Sequence, residues 1–222
     1  MILGMEWSGD ALPSSLLVLA PHPDDDVLGC SLLMRRVAAR DGRIVATWLT
    51  DGGASHGPLA PEPRRRLVES RQTEALAALS ELGVIPEAAC FLGYPDGTLD
   101  ERCEEAGLRL QRLCDHHEID TVVVTDGEDD HLDHRAAFKI ATGLKVARLY
   151  SYPISTRYDG ELYRPPDGAI FIPCEHSDHK RAALSRHRSQ TRSGGATYPL
   201  SAATIDRFCA EAEVFIPIRR RA

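Results

Sequence analysis

The sequence predicts an α/β fold, a single-domain, Rossmann-like and mainly parallel sheet with helices on both faces, over residues 1–222. Three observations predict it. Short apolar, β-branched runs alternate with segments of helical period through most of the chain. The first run, Leu16-Leu17-Val18-Leu19-Ala20, is apolar at every position, as in a strand buried on both faces. A chain of 222 residues is long enough for one sizeable core, and no repeat, low-complexity tract or clear boundary argues for a second.

Each element has a local reason. The first strand must stop at Pro21 and Pro23, because proline lacks an amide hydrogen and bars its predecessor from helical geometry. A helix is expected over 27–39, with Leu28, Leu32, Leu33 and Val37 on one face and Asp41-Gly42 at its end. Residues 43–50 read as the second strand, closed by the turn Asp51-Gly52-Gly53, and 54–63 as a surface loop containing Pro and Gly. A long helix over 64–82 stops at Gly83. The third strand, 88–94, is closed by Pro95-Asp96-Gly97, and a helix follows over 101–116. The β-branched run at 119–125 is the fourth strand, followed by a helix over 132–146 and a fifth strand over 148–153. Residues 155–167 form a polar excursion and 169–173 a sixth strand. Helices over 175–190 and 201–211 precede a closing run at 214–218 and a solvated tail, Arg219-Arg220-Arg221.

Composition narrows the function. A net charge of −7 argues against a general nucleic-acid binder, which needs a basic face. No 18-residue apolar run exists, so no membrane span is expected. Residues 1–14 carry Glu6 and Asp10 and no basic segment, unlike a secretory signal. Six scattered cysteines without a C-x-x-C pair fit reduced thiols in a cytoplasm. The sequence leaves a homo-oligomer open.

In sheets of this kind ligands bind beyond the carboxyl ends of strands, where strand order reverses. In the common 3-2-1-4 order, strands one and four are neighbours at that point. Strand one runs into Pro21-His22-Pro23-Asp24-Asp25-Asp26, and three adjacent acids at a buried strand end repel one another. Either Asp26 caps the next helix in a solvated turn, or a cation sits there with His22 and one Asp as ligands. Strand four runs into His131-Leu132-Asp133-His134, whose two imidazoles share a helical face. Two His and one carboxylate around a metal with open positions suit the activation of water. Glu175-His176-Ser177-Asp178-His179 repeats the H-x-D-H spacing, but strand six lies farther from strand one, and acids at a helix start are ordinary. His116 and His117 read as surface residues complementing a helix C-terminus.

These two motifs closely resemble the LmbE/PIG-L family of metal-dependent N-deacetylases. Thr50-Asp51-Gly52, Arg71-x-x-Glu74, Leu92-Gly93-Tyr94-Pro95-Asp96-Gly97 and Lys180-x-x-Ala183-Leu184-x-x-His187-x-Ser189-Gln190 extend the resemblance over nearly the whole chain, in order. The resemblance implies a Zn²⁺ held by His22, Asp25 and His134, with Asp24 as general base for attack by a metal-bound water. It implies that His131 supports the oxyanion or protonates the amine, and that Asp133 orients the last His. The substrate class it implies is an N-acetylated amino sugar, often N-acetylglucosamine linked to a lipid, an inositol, a malate or an antibiotic. Where the family usually has Glu, this chain has Asp26. Mixed N/O sites also accept Fe²⁺, Co²⁺ or Mn²⁺.

Four further expectations follow. Arg71 and Asp96, near strand ends, are candidate substrate contacts, Arg71 having an i, i+3 ion pair with Glu74 as its ordinary alternative. His131 should stand just outside the ligand shell, held by Asp133, which raises its pKa. Gly53-Ala54-Ser55-His56-Gly57 matches a serine-hydrolase pattern with Ser55 as nucleophile, but Pro58, Pro61 and Pro63 prevent a helix from starting at once. A dinucleotide site would need a glycine-rich turn where the acids stand, and a non-catalytic sugar-binding module would fit an incomplete metal site.

Overall fold

Leu16 to Ala20 have no solvent exposure, which fixes the centre of the sheet. The computed structural model describes residues 5–154, 164–174, 177–191, 196–197 and 199–219. Most of the polar excursion (155–163), Glu175, His176 and the tail residues 220–222 lie outside the described residues.

Strand β1 is Met5–Glu6 and β2 is Ser15–Ala20. β2 pairs in parallel with β3 (Arg43–Thr50) on one side and β5 (Thr121–Thr125) on the other. Outside these lie β4 (Ala88–Tyr94) and β6 (Arg148–Tyr152), again parallel. The two strands that carry the His/Asp loops are therefore hydrogen-bonded neighbours, as the 3-2-1-4 order requires. Beyond β6 the sheet departs from simple alternation. β8 (Glu213–Pro217) inserts antiparallel between β6 and β7 (Ile170–Ile172), and β1 pairs in parallel with β7. The strand preceding the second H-x-D-H segment thus lies three places away from β5.

Alternating side chains build two cores. Leu16, Val18 and Ala20 pack under α1 (Asp25–Ala38), α2 (Pro61–Glu81), α5 (Ser177–Leu184) and α7 (Ala202–Ala210). Leu17 and Leu19 face α3 (Cys103–His116) and α4 (Leu132–Thr142). The fully buried Glu213 ties the first layer together. Its carboxylate accepts from Ser31 Oγ and the Leu32 and Leu33 amides of α1, and from Lys180 Nζ of α5 at 2.9 Å.

Some boundaries differ from expectation for physical reasons. α1 begins at Asp25, because carboxylates are favourable in a first helical turn. α2 begins at Pro61 rather than after Pro63, since proline is well tolerated in the first turn, where the missing amide has no intrahelical acceptor. The helix expected over 175–190 is broken at His187 into α5 and a short α6 (Arg188–Thr191). There the Ser189 amide donates to Glu74 Oε1 at 2.9 Å, which takes it from the helical ladder.

Candidate metal centre

Asp25 enters α1 at its first position, His22 precedes it in the tight turn, and His134 lies in the first turn of α4. The structure brings these three together. His22 Nδ1 lies 3.2 Å from Asp25 Oδ2 and 3.3 Å from His134 Nε2, and His134 Nε2 lies 3.2 Å from the same Asp25 oxygen. All three residues are buried.

The far side of each imidazole is held by carboxylates. His22 Nε2 faces Asp96 Oδ1 at 3.2 Å and Asp133 Oδ2 at 3.3 Å. His134 Nδ1 lies 3.1 Å from Asp129 Oδ2. A carboxylate on the far nitrogen draws the ring proton there and leaves the near lone pair free for a cation. Three acceptors then converge with too few donors between them. A triangle with these sides has a circumradius of roughly 1.9 Å, close to the ~2.0–2.2 Å at which zinc takes nitrogen and oxygen ligands. The donor set and its spacing fit a divalent cation.

Charge points the same way. Five carboxylates (Asp24, Asp25, Asp96, Asp129, Asp133) surround the cluster, and the Arg71 guanidinium pairs with one of them, Asp24. Burial alone would push His22 down, yet Asp133, Asp25 and Asp96 hold it well above its ordinary value. Burial likewise opposes charge on His134, and Asp25 and Asp129 raise it to about 9. Asp25 is held well below the usual carboxylate range, its burial outweighed by His134 and His22. Protons thus collect where these residues could hold a cation. Two other groupings share His22. His22, His131 and His134 each bring a ring nitrogen within 4.8 Å of the others, and so do His22, Asp96 and Asp133 with one ligand atom each. The second grouping uses the nitrogen that the near triangle leaves protonated, and Asp133 already accepts from the Gly97 and Leu99 amides.

Asp24 stands beside the triangle, with Oδ1 3.2 Å from Arg71 Nη2. Burial pushes its pKa up, and Arg71 opposes that push. Arg71, expected near a substrate or paired with Glu74, is buried against this acid. It is 2% exposed, and its donors reach Gly52 O at 3.0 Å, Pro23 O at 3.4 Å and Asp24. Its guanidinium is thus engaged by Asp24 and two backbone carbonyls. It does not pair with Glu74, which accepts from Ser189 instead. Gly52 allows the close approach: its φ is +63°, and a Cβ there would lie 2.6 Å from Arg71 Nη1. Asp96, the other expected substrate contact, joins loops. Its carboxylate accepts from the Ala54 amide at 3.0 Å and faces His22.

His131 is exposed at the rim, its ring 4.6 Å from that of His22 and 4.9 Å from that of His134. It caps α4: Nδ1 accepts from the Asp133 amide at 3.2 Å, so in the neutral ring the proton is on Nε2. The expected hold by the Asp133 carboxylate is not found, because that group faces His22. The expected rise in pKa is reversed too. Partial burial, then His22 and His134, lower it to about 4. Asp129, unnoticed in the sequence, holds His134. Its signal was a carboxylate at i−5 within the acidic run Asp126-Gly127-Glu128-Asp129-Asp130.

Asp26 does not cap α1. It is buried, accepts from Trp48 Nε1 at 3.0 Å, and burial pushes its pKa up to about 7. Ser55 Oγ lies 3.0 Å from His56 Nδ1, but in turns well before α2, not on a strand-to-helix elbow. His179 of the second H-x-D-H segment is exposed. A hollow of about 470 Å³ bounded by Asp51, Leu59, Arg64 and Val68 adjoins the Asp51 turn, and a larger one lies along α2 by Arg66, Thr73 and Arg188.

The same architecture occurs in solved structures. A conserved protein from Thermus thermophilus is 25% identical, with TM-score 0.68, over 93% of this chain and 96% of that one. The N,N'-diacetylchitobiose deacetylase of Pyrococcus horikoshii is 20% identical, with TM-score 0.63, over 93% and 84%. A 4-carboxy-2-hydroxymuconate hydratase from Pseudomonas putida is 17% identical, with TM-score 0.68, over 94% and 97%. No curated protein matches by sequence. The family model described as PIG-L, GlcNAc-PI de-N-acetylase, matches residues 17–144, which hold His22, Asp24, Asp25, His131 and His134, and the chain belongs to that family.

Proposed function

We propose that this protein is a zinc-dependent N-deacetylase that hydrolyses the acetamide of an N-acetylated amino sugar or its conjugate. The convergence of His22 Nδ1, Asp25 Oδ2 and His134 Nε2 carries the reading. Family membership and the chitobiose deacetylase support the reaction class. The hydratase on the same fold is a reminder that architecture alone does not choose the chemistry.

His22, Asp25 and His134 would hold a divalent ion, which would supply Lewis-acid activation of water and of the acetamide carbonyl. Asp24 takes the proton of the attacking water and passes it to the departing nitrogen, giving acetate and a free amine. Its raised pKa suits a group that must both accept and return a proton, and Arg71 fixes its direction. His131 donates from Nε2 to the developing oxyanion. It does so as a neutral imidazole, because a pKa near 4 leaves it uncharged at neutral pH. Asp96 and Asp133 orient His22, and Asp129 orients His134. We take residues 1–222 as one such domain. We place it in the cytoplasm, a reading supported by six free cysteines. No helix among the described residues is long and apolar enough to cross a membrane.

The test is acetate release from a panel of N-acetylglucosamine conjugates by the zinc-loaded protein. The expected result is release with at least one conjugate, abolished by chelation, restored by zinc and indifferent to Ser55→Ala. Activity that survives complete metal removal but not Ser55→Ala would transfer the chemistry to Ser55.

A further inference from the structure

The turn between α5 and α6 carries polar atoms that the mechanism above does not use. His187 has 0% exposure, and neither ring nitrogen has a hydrogen-bond partner among the described residues. Arg71 Nε is buried and unpartnered in the same way. Buried polar atoms are nearly always satisfied, by protein or by ordered water.

The turn is docked onto the elements that hold Arg71. Two residues past His187, Ser189 donates to Glu74 from its amide at 2.9 Å and its hydroxyl at 2.6 Å. Glu74 stands three residues, one helical turn, from Arg71 on α2. Gln190 Nε2 reaches Ser55 Oγ at 3.3 Å, in the loop that begins at Gly52. The Gly52 carbonyl accepts from Arg71 Nη1. The His187 turn is thus fastened both to the helix that carries Arg71 and to the loop whose Gly52 carbonyl Arg71 holds. Burial first, and then the charge of Arg71, hold the His187 ring down to about 3, so it is neutral. A neutral imidazole offers one lone pair, which suits a guanidinium N–H, whereas an imidazolium would be repelled.

We propose that His187 is a positioning residue: through one buried water its bare ring nitrogen accepts the Arg71 Nε–H, and this fixes the guanidinium that holds Asp24. A site for such a water needs at least two polar partners, which these atoms supply. The catalytic half of the proposal rests on Asp24 being the base. It gives a shared purpose to two motifs far apart in the chain, Arg71-x-x-Glu74 and His187-x-Ser189-Gln190, which meet through Glu74 and Ser189.

Nitrogen-15 NMR of the zinc-loaded protein tests it without reference to turnover. In the wild type, the Arg71 Nε–H should exchange slowly with solvent, and His187 should show a neutral ring with its bare nitrogen hydrogen-bonded. His187→Phe fills the volume without an acceptor. It should speed Arg71 Nε–H exchange and lower kcat on the order of tenfold, the usual worth of an outer-shell partner, with zinc content unchanged. His187→Gln or His187→Asn retains an acceptor, and at least one of them should restore slow exchange and most of kcat. Exchange at the wild-type rate in His187→Phe would overturn the proposal. Should that variant fail to fold, a fast-exchanging Arg71 Nε–H in the wild type overturns it equally. If His187→Phe loses the protected N–H while Asp24→Asn turns over normally, the link to Arg71 stands and the assignment of the base falls.

Discussion

The junction from β2 to α1 spans four residues and that from β5 to α4 spans six, and the two are held in opposite ways. The first borrows its support. Pro21 O accepts from the amide and hydroxyl of Thr50, Pro23 O and Asp24 from Arg71, and His22 leans on Asp96 and Asp133. The second relies more on itself, with Ser151 Oγ and Tyr152 O of β6 meeting only Asp126. Asp126 accepts from the Glu128 amide, Asp129 from the His131 amide, and Arg135 ties down the Asp129 and Asp130 carbonyls. A four-residue link containing two prolines has two amides, both bonded within the junction, so distant elements must fix its carbonyls and side chains. A longer link rich in Asp, with Gly127, closes into turns of its own. Asp24 and His22 therefore depend largely on remote residues, while His134 depends largely on its own loop.

The largest effect expected is at the borrowed junction. Asp24→Asn keeps the size and loses the proton acceptor. Turnover should fall ~10²–10⁴-fold, the usual worth of a general base, with one metal ion per chain retained. Steady-state rates beside elemental analysis check this. Near wild-type turnover would reduce Asp24 to a structural role.

A smaller effect separates the two junctions. Asp96→Asn and Asp129→Asn each remove a carboxylate from the far nitrogen of a ligand imidazole, and each should weaken metal binding by about 10–100-fold. Their wider consequences should differ. Asp96 also accepts from the Ala54 amide, so Asp96→Asn should loosen the loop after β3. Asp129→Asn should change protection only within its own loop and α4. Hydrogen exchange with metal competition assays measures both. Identical protection patterns would mean that the junctions are not supported differently.

The sequence made the central sheet and the ligand types legible for the same reason. A strand apolar at every position must be central, and acids at its end need either water or a cation. Adjacency of β2 and β5 then followed from the usual strand order. What stayed hidden depends on partners far away in sequence. Arg71 sits three residues from Glu74, which invited an i, i+3 pair, yet each is claimed by a distant partner, Asp24 and Ser189. Asp133 lies between two histidines in sequence but turns its carboxylate to a third, His22. Asp129 was hidden among neighbouring acids that look solvated. The antiparallel insertion of β8 had no local signature either, because strand direction is set by which edge remains open.

The smallest effect expected concerns protons, and it also discriminates between the junctions. Without metal, His134 has a pKa of about 9 against an ordinary 6.5, burial being outweighed by Asp25 and Asp129. The group holds its proton more tightly folded than unfolded. Its contribution to the stability of the metal-free protein is therefore complete below 6.5 and is lost as pH rises through about 9. A cation must displace that proton, so metal affinity should climb with pH and lose the His134 part of its slope near 9. Competition against a chromophoric chelator from acid to alkaline pH gives the slope. Calorimetry in two buffers of different ionisation enthalpy counts the protons released. Asp129→Asn removes one of the groups that raise His134, so its break in slope should move to lower pH. Asp96 is not among those groups, and Asp96→Asn should leave the break in place. A break that moves equally in both variants would show the two junctions to be one electrostatic unit, and the self-supporting character of the second would be lost.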